Sequence, residues 1–287
     1  MPEICGDVAL SLADQWRYVS YGLRQIVRSI GQRCPVAAVR TDFDNDDVRS
    51  KINEGASPLR VYTSSLAAQV IQEHLGGTGP ICDIGCGSGG HSRLFEGRAG
   101  SHLYVGVDVI SHSSWLSTVV PVSTLPRYFV RMAAEDLGLA TDSLAFTFSS
   151  SSLEHVPNVQ RAVGELARAT SPGAFGLHIV PGIWALFLYL FHGYRRFSPR
   201  SLADIFEQAG LKVERVWSLG GLPSFLLHLL WITALETFVV RRVLRLGLQL
   251  RRGHGLRLYA RLLYTALRLD PFLPFAPAGY AVLVRKS

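Results

Sequence analysis

The stretch Asp83-Ile84-Gly85-Cys86-Gly87-Ser88-Gly89-Gly90 decides the fold. It follows a short apolar run, Ile81–Ile84, and precedes a segment that the sequence predicts to open a helix at His91. Glycines at 85, 87 and 89 let the chain turn tightly and let the backbone approach a ligand where a Cβ atom would collide. The stretch therefore predicts a nucleotide-like ligand held between a strand and the following helix.

Two acids narrow the kind of ligand. Asp108 ends the next apolar run, and an acid at that place binds the hydroxyls of a ribose. Asp83 stands inside the glycine stretch itself, where a carboxylate would repel a pyrophosphate but would suit a cationic amino group. The two acids together favour a nucleoside that carries an amino group over a dinucleotide.

Apolar runs and helical patterns alternate around this stretch. Such alternation predicts βαβ units and a largely parallel sheet. The predicted strands are 81–84, 103–109, 128–132, 145–148, 174–180, 213–217 and 280–285, and the predicted helices are 61–75, 159–169 and 201–209.

Taken in order, these residues resemble the class I S-adenosylmethionine-dependent methyltransferases, in particular the small-molecule group called type 11. After the glycine stretch and Asp108, the matching segments are Ala134–Leu137, Phe148–Pro157, Arg196–Leu202 and Phe206–Leu211. The resemblance covers about residues 60–220 and the last strand. It implies an α/β, Rossmann-like sheet of seven strands, the last one antiparallel and next to the fifth, with S-adenosylmethionine as cofactor.

The spacing of the four cysteines matches no zinc site, so no metal is expected. The resemblance also implies a set of cofactor-binding residues. Two positions depart from the family pattern, because Ala133 and Ala145 stand where relatives often carry an acid. The role at position 133 would pass to the backbone or side chains of the next few residues. The implied cofactor-binding residues are Asp83, Gly85, Cys86, Gly87, Gly89, Asp108, Val109, Ala134, Glu135, Asp136, Ser149 and Ser150.

A general base is needed only if the methyl acceptor carries a proton, because the sulfonium of the cofactor is already activated. His155, with Glu154 beside it, follows the fourth predicted strand and is the predicted catalytic residue. Support of the fold or of the cofactor is its alternative role. His178 in the fifth strand and His192 beyond it are the other candidates.

The sequence divides into three predicted regions. Residues 1–60 form a predicted N-terminal helical extension, 61–220 with 278–287 the cofactor domain, and 221–277 a helical, apolar and basic insertion before the last strand. A second apolar run, Ile183–Phe191, follows the fifth strand. Both apolar segments follow strands that end at the ligand-binding edge of the sheet.

The positive charge belongs to the insertion and the last strand. The 287 residues carry a net charge of +7, but residues 222–287 hold 10 Lys and Arg against 2 Asp and Glu, which leaves the rest at −1. Beyond the apolar run 222–240, arginines recur at steps of four and seven, with leucines between them. This spacing predicts two basic amphipathic helices, which carry the arginines Arg241, Arg245 and Arg252 and then Arg257, Arg261 and Arg268.

We therefore expect a methyltransferase that acts, most simply at oxygen, on a hydrophobic or lipid-linked small molecule, with peripheral membrane contact through 222–268. Leucines between the arginines argue against nucleic acid. The first residues, Met1–Cys5, include an acid where a signal peptide needs a base. The expected location is thus the cytoplasm, with the inner face of the membrane as the site of contact.

Five alternatives stay open. The insertion could be a packed cap, a homodimer interface or a spanning helix. The enzyme could methylate RNA or protein and dock through its basic C-terminal helices. The chain could instead be a non-catalytic subunit that binds S-adenosylmethionine and holds a partner with its helices.

Overall fold

The computed structural model describes residues 11–29, 34–76, 78–97, 102–118, 125–189 and 195–287. Met1–Cys5, Ile30 and His192 lie outside these ranges. The described residues form one eight-stranded sheet of order β1-β7-β8-β6-β5-β2-β3-β4. Its strands are β1 (Ala37–Ala38), β2 (Gly79–Ile84), β3 (His102–Asp108), β4 (Arg127–Arg131), β5 (Leu144–Ser150), β6 (Thr170–Pro181), β7 (Leu211–Leu219) and β8 (Gly279–Lys286).

The predicted parallel sheet and the antiparallel last strand, placed next to the fifth predicted strand, are confirmed. Strands β2 to β6 pair in parallel with their neighbours, and β8 runs antiparallel between β6 and β7. Gly279 at the start of β8 pairs with Pro181 on one side and Leu219 on the other. The sheet has one strand more than predicted, because Ala37–Ala38 adds in parallel to the edge at β7. Two residues carry no alternating pattern that could have indicated a strand.

Helices cover both faces of the sheet. They are α1 (Leu12–Ser29), α2 (Asp46–Asn53), α3 (Pro58–His74), α4 (Ser114–Thr118), α5 (Val159–Ala169), α6 (Ala185–Leu188), α7 (Pro199–Gln208), α8 (Leu222–Leu227) and α9 (Leu256–Leu269). α3 is buried over most of its length, as a core helix must be, and packs with α2 and α9 on one face. α5 and α7 cover the other face. A short 3-10 turn, Gly90–Phe95, takes the place of the helix predicted after the glycine stretch.

The insertion begins with one continuous helix. After α8 the helix widens to an i→i+5 pattern over His228–Val243. By length and composition alone, Leu222–Val243 is the one described helix that could cross a membrane, with a mean hydropathy of 1.5 and 28% of that window buried. Its Glu236 is buried and forms an ion pair with Arg251, Nε to Oε2, at 3.3 Å. This pair joins the helix to the segment that follows it.

The prediction of the first basic helix, which would carry Arg241, Arg245 and Arg252, is wrong. The helix ends at Val243, and Arg245 then takes a positive φ of 54° that few side chains tolerate. The chain folds back until the Arg251 amide donates to Glu236 Oε1 at 2.5 Å. The second predicted helix is confirmed as α9, which carries Arg257, Arg261 and Arg268.

The insertion shares the core of the sheet domain. Tyr259, Leu263 and Leu267 of α9 are buried in the same apolar cluster as α3. The Tyr62 hydroxyl donates to Asp270 Oδ2 at 2.6 Å in a buried contact between α3 and the end of α9. The inner face of the insertion is therefore fixed to the domain, while its outer face meets solvent.

Candidate active site

The glycine loop after β2 is held by its neighbour strand. The amides of Gly85 and Cys86 both donate to the Val107 carbonyl, at 2.7 and 3.0 Å. Gly85 and Gly89 have positive φ values of 68° and 81°, and a Cβ at Gly85 would overlap Ser152. Beside Gly87, by contrast, the described residues leave open space within 4 Å of a Cβ. The loop is thus rigid on its inner side and open where a ligand would approach.

Asp108 lies at the rim of this loop, as the sequence predicts. Its Oδ2 accepts from the Gly87 amide at 2.9 Å and its Oδ1 from the Ile110 amide at 3.0 Å. Val109 and Ile110, the next two residues, are more than half exposed. A carboxylate fixed by two amides and flanked by exposed apolar side chains fits a ribose with its base beside it.

Asp83 is fully buried below the loop. Its Oδ2 accepts from the Tyr104 hydroxyl at 2.5 Å, and burial together with this carboxylate raises the pKa of Tyr104, which keeps the donor protonated. Its Oδ1 accepts no hydrogen bond from any residue that the structure describes. A buried carboxylate oxygen left in this state costs free energy unless a ligand satisfies it. This orphaned atom fits the cationic amino group of S-adenosylmethionine.

The segment Ala134–Leu137, which the resemblance places beside the adenine, has one side chain bound to another part of the protein. Ala134 is buried, and Asp136 is exposed. Glu135 Oε1 accepts from the Asn158 amide at 3.2 Å, just before α5. The Glu135 side chain therefore fixes the start of that helix, which leaves the backbone of this segment and Asp136 for a ligand.

Trp115 is a site residue that the sequence did not indicate. Its Nε1 donates to the Gly87 carbonyl at 2.7 Å, and its ring stacks on Phe129 with centroids 5.4 Å apart. Ser114 Oγ donates to the Ser88 carbonyl at 3.1 Å. α4 is thereby held against the outer side of the glycine loop. A lone Trp after a predicted strand carries no pattern that could have placed it there.

The serine side chains at the end of β5 contact different parts of the protein. Ser149 Oγ lies 2.9 Å from His178 Nδ1, on the face that α7 covers, so its side chain is turned away from the glycine loop. Ser150 is half-buried. Ser152 Oγ donates to the Ile84 carbonyl at 2.7 Å and ties the end of β5 to the loop. Any contact of Ser149 with a cofactor would have to come from its backbone.

His178 is a buried core residue. Its Nε2 lies 3.3 Å from Thr147 Oγ1, its ring stacks on Phe206, and burial lowers its pKa to about 3. It is therefore neutral and inaccessible to an acceptor, which removes it as a candidate base. His192, the other alternative, lies outside the described residues.

The predicted base, His155, is partly exposed at one edge of the sheet. It follows β5 at the ligand-binding edge, with its side chain 27% exposed and its Nε2 3.9 Å from Glu154 Oε1. Glu154 is buried, and burial raises its pKa to about 7 despite the nearby Arg196. The His155 imidazole therefore lies at the ligand-binding edge beside a buried carboxyl group.

Arg196 joins this edge to the N-terminal helix. Its Nη2 donates to the Tyr18 hydroxyl at 2.8 Å and to the Tyr189 carbonyl at 3.2 Å. The Tyr18 hydroxyl donates to the same carbonyl at 3.2 Å. α1 is thereby attached to the segment after β6, beside Glu154 and His155.

Comparison with known proteins agrees with this architecture. Residues 82–177 match the model of a family described as "Methyltransferase domain". The match begins just before the glycine loop and ends in β6, so it spans Asp83, Asp108 and His155. A search of the curated proteins found no match.

Three solved structures share the fold. The cyclase SpnF has 17% identity and a TM-score of 0.54, with 95% of each chain covered. A protein assigned as a sarcosine dimethylglycine methyltransferase from Galdieria sulphuraria has 14% identity and a TM-score of 0.54 over 93% of this chain and 98% of that one. Phosphoethanolamine N-methyltransferase 2 from Haemonchus contortus, in complex with phosphomonomethylethanolamine and S-adenosylhomocysteine, has 16% identity and a TM-score of 0.52 over 77% of this chain and 52% of that one. At these identities the likeness establishes the fold, and the reaction is indicated by the family match.

Proposed function

This chain is an S-adenosylmethionine-dependent methyltransferase of the class I fold, and we propose that it methylates, at oxygen, a small hydrophobic or lipid-linked acceptor at the cytoplasmic surface of a membrane. One observation carries the proposal. A layer of apolar and basic helices lies over the edge of the sheet where the parallel strands end. The acceptor site of an open α/β sheet lies at that edge.

The layer is built from the segments after β6 and β7. α6 follows β6 and α8 follows β7, and Trp184 meets Phe225 with ring centroids 6.3 Å apart. Thr233 Oγ1 also donates to the Leu188 carbonyl at 2.8 Å. The layer exposes a set of large apolar side chains that a soluble surface does not need: Trp184, Phe187, Leu226, Leu230, Phe238, Val239, Val243, Leu244, Leu246, Leu248, Leu258, Leu262, Leu269, Phe272 and Phe275.

Arginines lie among these apolar side chains. The described part of the insertion holds eight of them and only two acids, Glu236 and Asp270, both of which are buried. Arginine forms bidentate hydrogen bonds with phosphate, and leucine enters the acyl boundary of a bilayer. The same surface would attract an amphiphilic acceptor to the edge where the transfer takes place.

In this proposal the residues of the chain bind the cofactor, orient the acceptor and remove its proton. The cofactor, when bound, supplies an activated methyl group. Asp83 and Asp108 would hold its polar parts, and the apolar layer would exclude water from the acceptor. His155 Nε2 accepts the proton of the acceptor hydroxyl, and the neighbouring Glu154 carboxylate favours the imidazolium that forms.

Turnover against cell fractions tests the acceptor class. The protein is incubated with S-adenosylmethionine labelled in its methyl group and with separate lipid, RNA and protein fractions. We expect label in the lipid fraction, released as methanol by base if the product is an ester and retained if it is an ether. Label confined to RNA or protein, or binding of the cofactor without turnover on any fraction, would overturn the proposal.

The proposed base has a matched control on the same chain. We expect His155→Gln to lower the turnover number by about 10²–10⁴ without a change in cofactor affinity. His74→Gln makes the same substitution at the opposite end of the domain, where α3 ends, and should leave turnover unchanged. Equal rates for His155→Gln and the wild type would remove His155 as the base.

Vesicle binding tests the membrane contact. Changing Arg241, Arg245, Arg257 and Arg261 to Glu should abolish co-sedimentation with anionic vesicles. The matched control changes four exposed arginines of the cofactor domain and its N-terminal extension, Arg40, Arg49, Arg161 and Arg200, to Glu and alters the net charge equally. An equal loss of vesicle binding in both variants would mean that the assay measures net charge alone. Vesicle binding retained by the first variant would favour a packed cap.

A further inference from the structure

α1 exposes an apolar stripe that no other described part of the chain covers. Leu12, Trp16, Leu23 and Val27 are 78%, 73%, 53% and 67% exposed, and the half-buried Val19 lies between them. Steps of four, three, four and four residues place all five side chains on one face of the helix. Four large apolar groups aligned in this way form a patch rather than scattered surface residues.

The stripe is not the face by which α1 is attached to the protein. Tyr18 and Gly22 are the buried residues of the helix, and they face α6 and the segment after it. A Cβ at Gly22 would overlap the Leu186 side chain. The helix is therefore held on one side while its apolar stripe points elsewhere.

Basic residues line the side of the stripe. Arg17, Arg24 and Arg28 follow one another at steps of seven and four and are exposed. Asp14 is the one acid on the described helix, and it pairs with Arg17. An apolar stripe with a Trp, flanked by arginines, is the pattern of a helix that lies in the interface of an anionic bilayer.

The stripe is connected to the layer at the acceptor edge. α1 packs on α6. Phe187 of α6 and Trp184, the residue before α6, are both exposed. Trp184 also contacts Phe225 of α8. Exposed apolar side chains thus lie on each of three helices that touch in sequence. A lipid surface can meet all three, because it has no fixed shape to match.

A second copy of the chain fits the stripe less well. An 18-residue helix is about 27 Å long, so a stripe on one face offers roughly a few hundred Å². A stable interface needs about 800 Å² from each partner. A bilayer needs no such area from one helix when other elements insert beside it.

We propose that α1 is a membrane-binding helix, which together with the insertion places the acceptor edge of the enzyme against an anionic lipid surface. This inference rests on the proposed function and adds a second lipid contact, at the N-terminal end of the chain, which binds only together with the insertion. It gives Arg196 a further role. By holding Tyr18 and the Tyr189 carbonyl, Arg196 links the lipid-bound helix to the segment after β6, and its charge acts on the neighbouring Glu154 carboxyl group.

The test uses the full chain and vesicles of phosphatidylcholine with about 30% phosphatidylglycerol, since anionic lipid is what the arginines would attract. Trp16→Glu with Leu23→Glu places two charges in the stripe, and Ala13→Glu with Ser20→Glu places the same charges at exposed positions just beside the stripe on the same helix. We expect vesicle affinity to fall about 100-fold in the first variant, since burial of each apolar side chain contributes about tenfold. The second variant should lose far less. S-adenosylhomocysteine affinity checks that both variants fold.

A second readout depends on no destabilising substitution. Lipids brominated in their acyl chains should quench part of the tryptophan fluorescence of the wild type, and Trp16→Phe should remove that part while it binds vesicles normally. Unchanged quenching in Trp16→Phe, or equal affinity of the two Glu variants, would overturn the inference. A dimer in solution that Trp16→Glu with Leu23→Glu dissociates would also overturn it.

The insertion variant separates this inference from the proposed function. If the four-arginine variant of 241–261 loses vesicle binding and the stripe variant does not, α1 is not a lipid contact and the proposed function stands. If the wild type itself binds no vesicles, the membrane part of the proposed function fails with it.

Discussion

Replacing Asp83 by Asn tests the cofactor site with the smallest change of shape. The side chain is fully buried, one oxygen accepts from Tyr104, and the other accepts from no described residue. Asn retains an oxygen for the Tyr104 hydroxyl and removes the negative charge. The substitution therefore separates the part of Asp83 that supports the fold from the part that would face a cationic ligand.

The two effects have different sizes. A hydrogen bond to a charged group contributes about 1.5–3 kcal/mol and one to a neutral group about 0.5–1.5 kcal/mol. The weaker bond to Tyr104 is offset by the lower cost of burying an amide instead of a carboxylate, so we expect the free energy of unfolding to change by no more than about 1 kcal/mol. Loss of the charged interaction with an amino group should weaken cofactor binding about 10- to 150-fold.

Calorimetric titration and thermal unfolding measure the two effects. S-adenosylhomocysteine keeps the amino group without the sulfonium charge, so it should lose as much affinity as S-adenosylmethionine. Asp270→Asn is the matched control, because Asp270 is also a buried carboxylate that accepts from a tyrosine, Tyr62, away from the glycine loop. Unchanged affinity in a folded Asp83→Asn protein, or equal loss in Asp270→Asn, would refute the reasoning.

Three further outcomes concern buried contacts. Burial raises the pKa of Glu154 from 4.5 to about 7, so between these pH values the folded protein keeps a proton that the unfolded chain releases. The free energy of unfolding in urea, relative to that of Glu154→Gln, should therefore fall by up to about 3 kcal/mol as the pH rises from about 4.5 to 7. Above about pH 7 it should stay level. Gly22→Val should overlap Leu186 and release α1, seen as rapid proteolysis of the α1 segment while the sheet domain stays intact. Tyr62→Phe should leave Asp270 without its hydroxyl donor and lower stability by about 1–3 kcal/mol, measured by urea unfolding, and in a double variant with Asp270→Ala the two losses should not add.

Much of the sheet could be predicted because its central strands are covered on both faces. Strands β2, β5 and β6 contain nearly continuous apolar runs, and such runs stand out between glycines and polar turns. The two-residue β1 could not be predicted, since its place is set by β7 and not by its own residues. The predicted helices 61–75 and 159–169 agree within a few residues with α3 (Pro58–His74) and α5 (Val159–Ala169).

Side-chain direction limited the prediction of the site. Backbone features such as the positive φ of Gly85 follow from residue type, so the loop was predictable. Ser149 and His178 lie on strands, where a shift of one residue reverses the face, and only their register across the sheet turns both toward α7. Trp115 reaches the loop through the packing of α4 on Phe129, which no local pattern encodes.

The basic segment after the apolar helix shows how periodicity can mislead. Steps of four and seven between Arg241, Arg245 and Arg252 match a helix. Gly247, however, disfavours a helix in this segment, and the buried Glu236 forms an ion pair with Arg251. A charge pair across a turn stabilises a fold-back that the pattern does not contain. Long-range pairing thus decided against local spacing.

The insertion leaves and rejoins the sheet at neighbouring residues, because Leu219 and Gly279 are paired across β7 and β8. Its two ends therefore lie about one strand spacing apart, as the ends of a short hairpin would. Chain-closure entropy rises only slowly with length, by about 0.6 kcal/mol for each doubling, so an ancestor with a simple turn could have lengthened it at small cost to stability. The restriction on further change lies elsewhere: Tyr259, Leu263 and Leu267 now fill space against α3, so any descendant that shortens this segment must refill that space with other side chains. Its outer surface can change without refilling that space, while its inner surface evolves under the rules of a protein core.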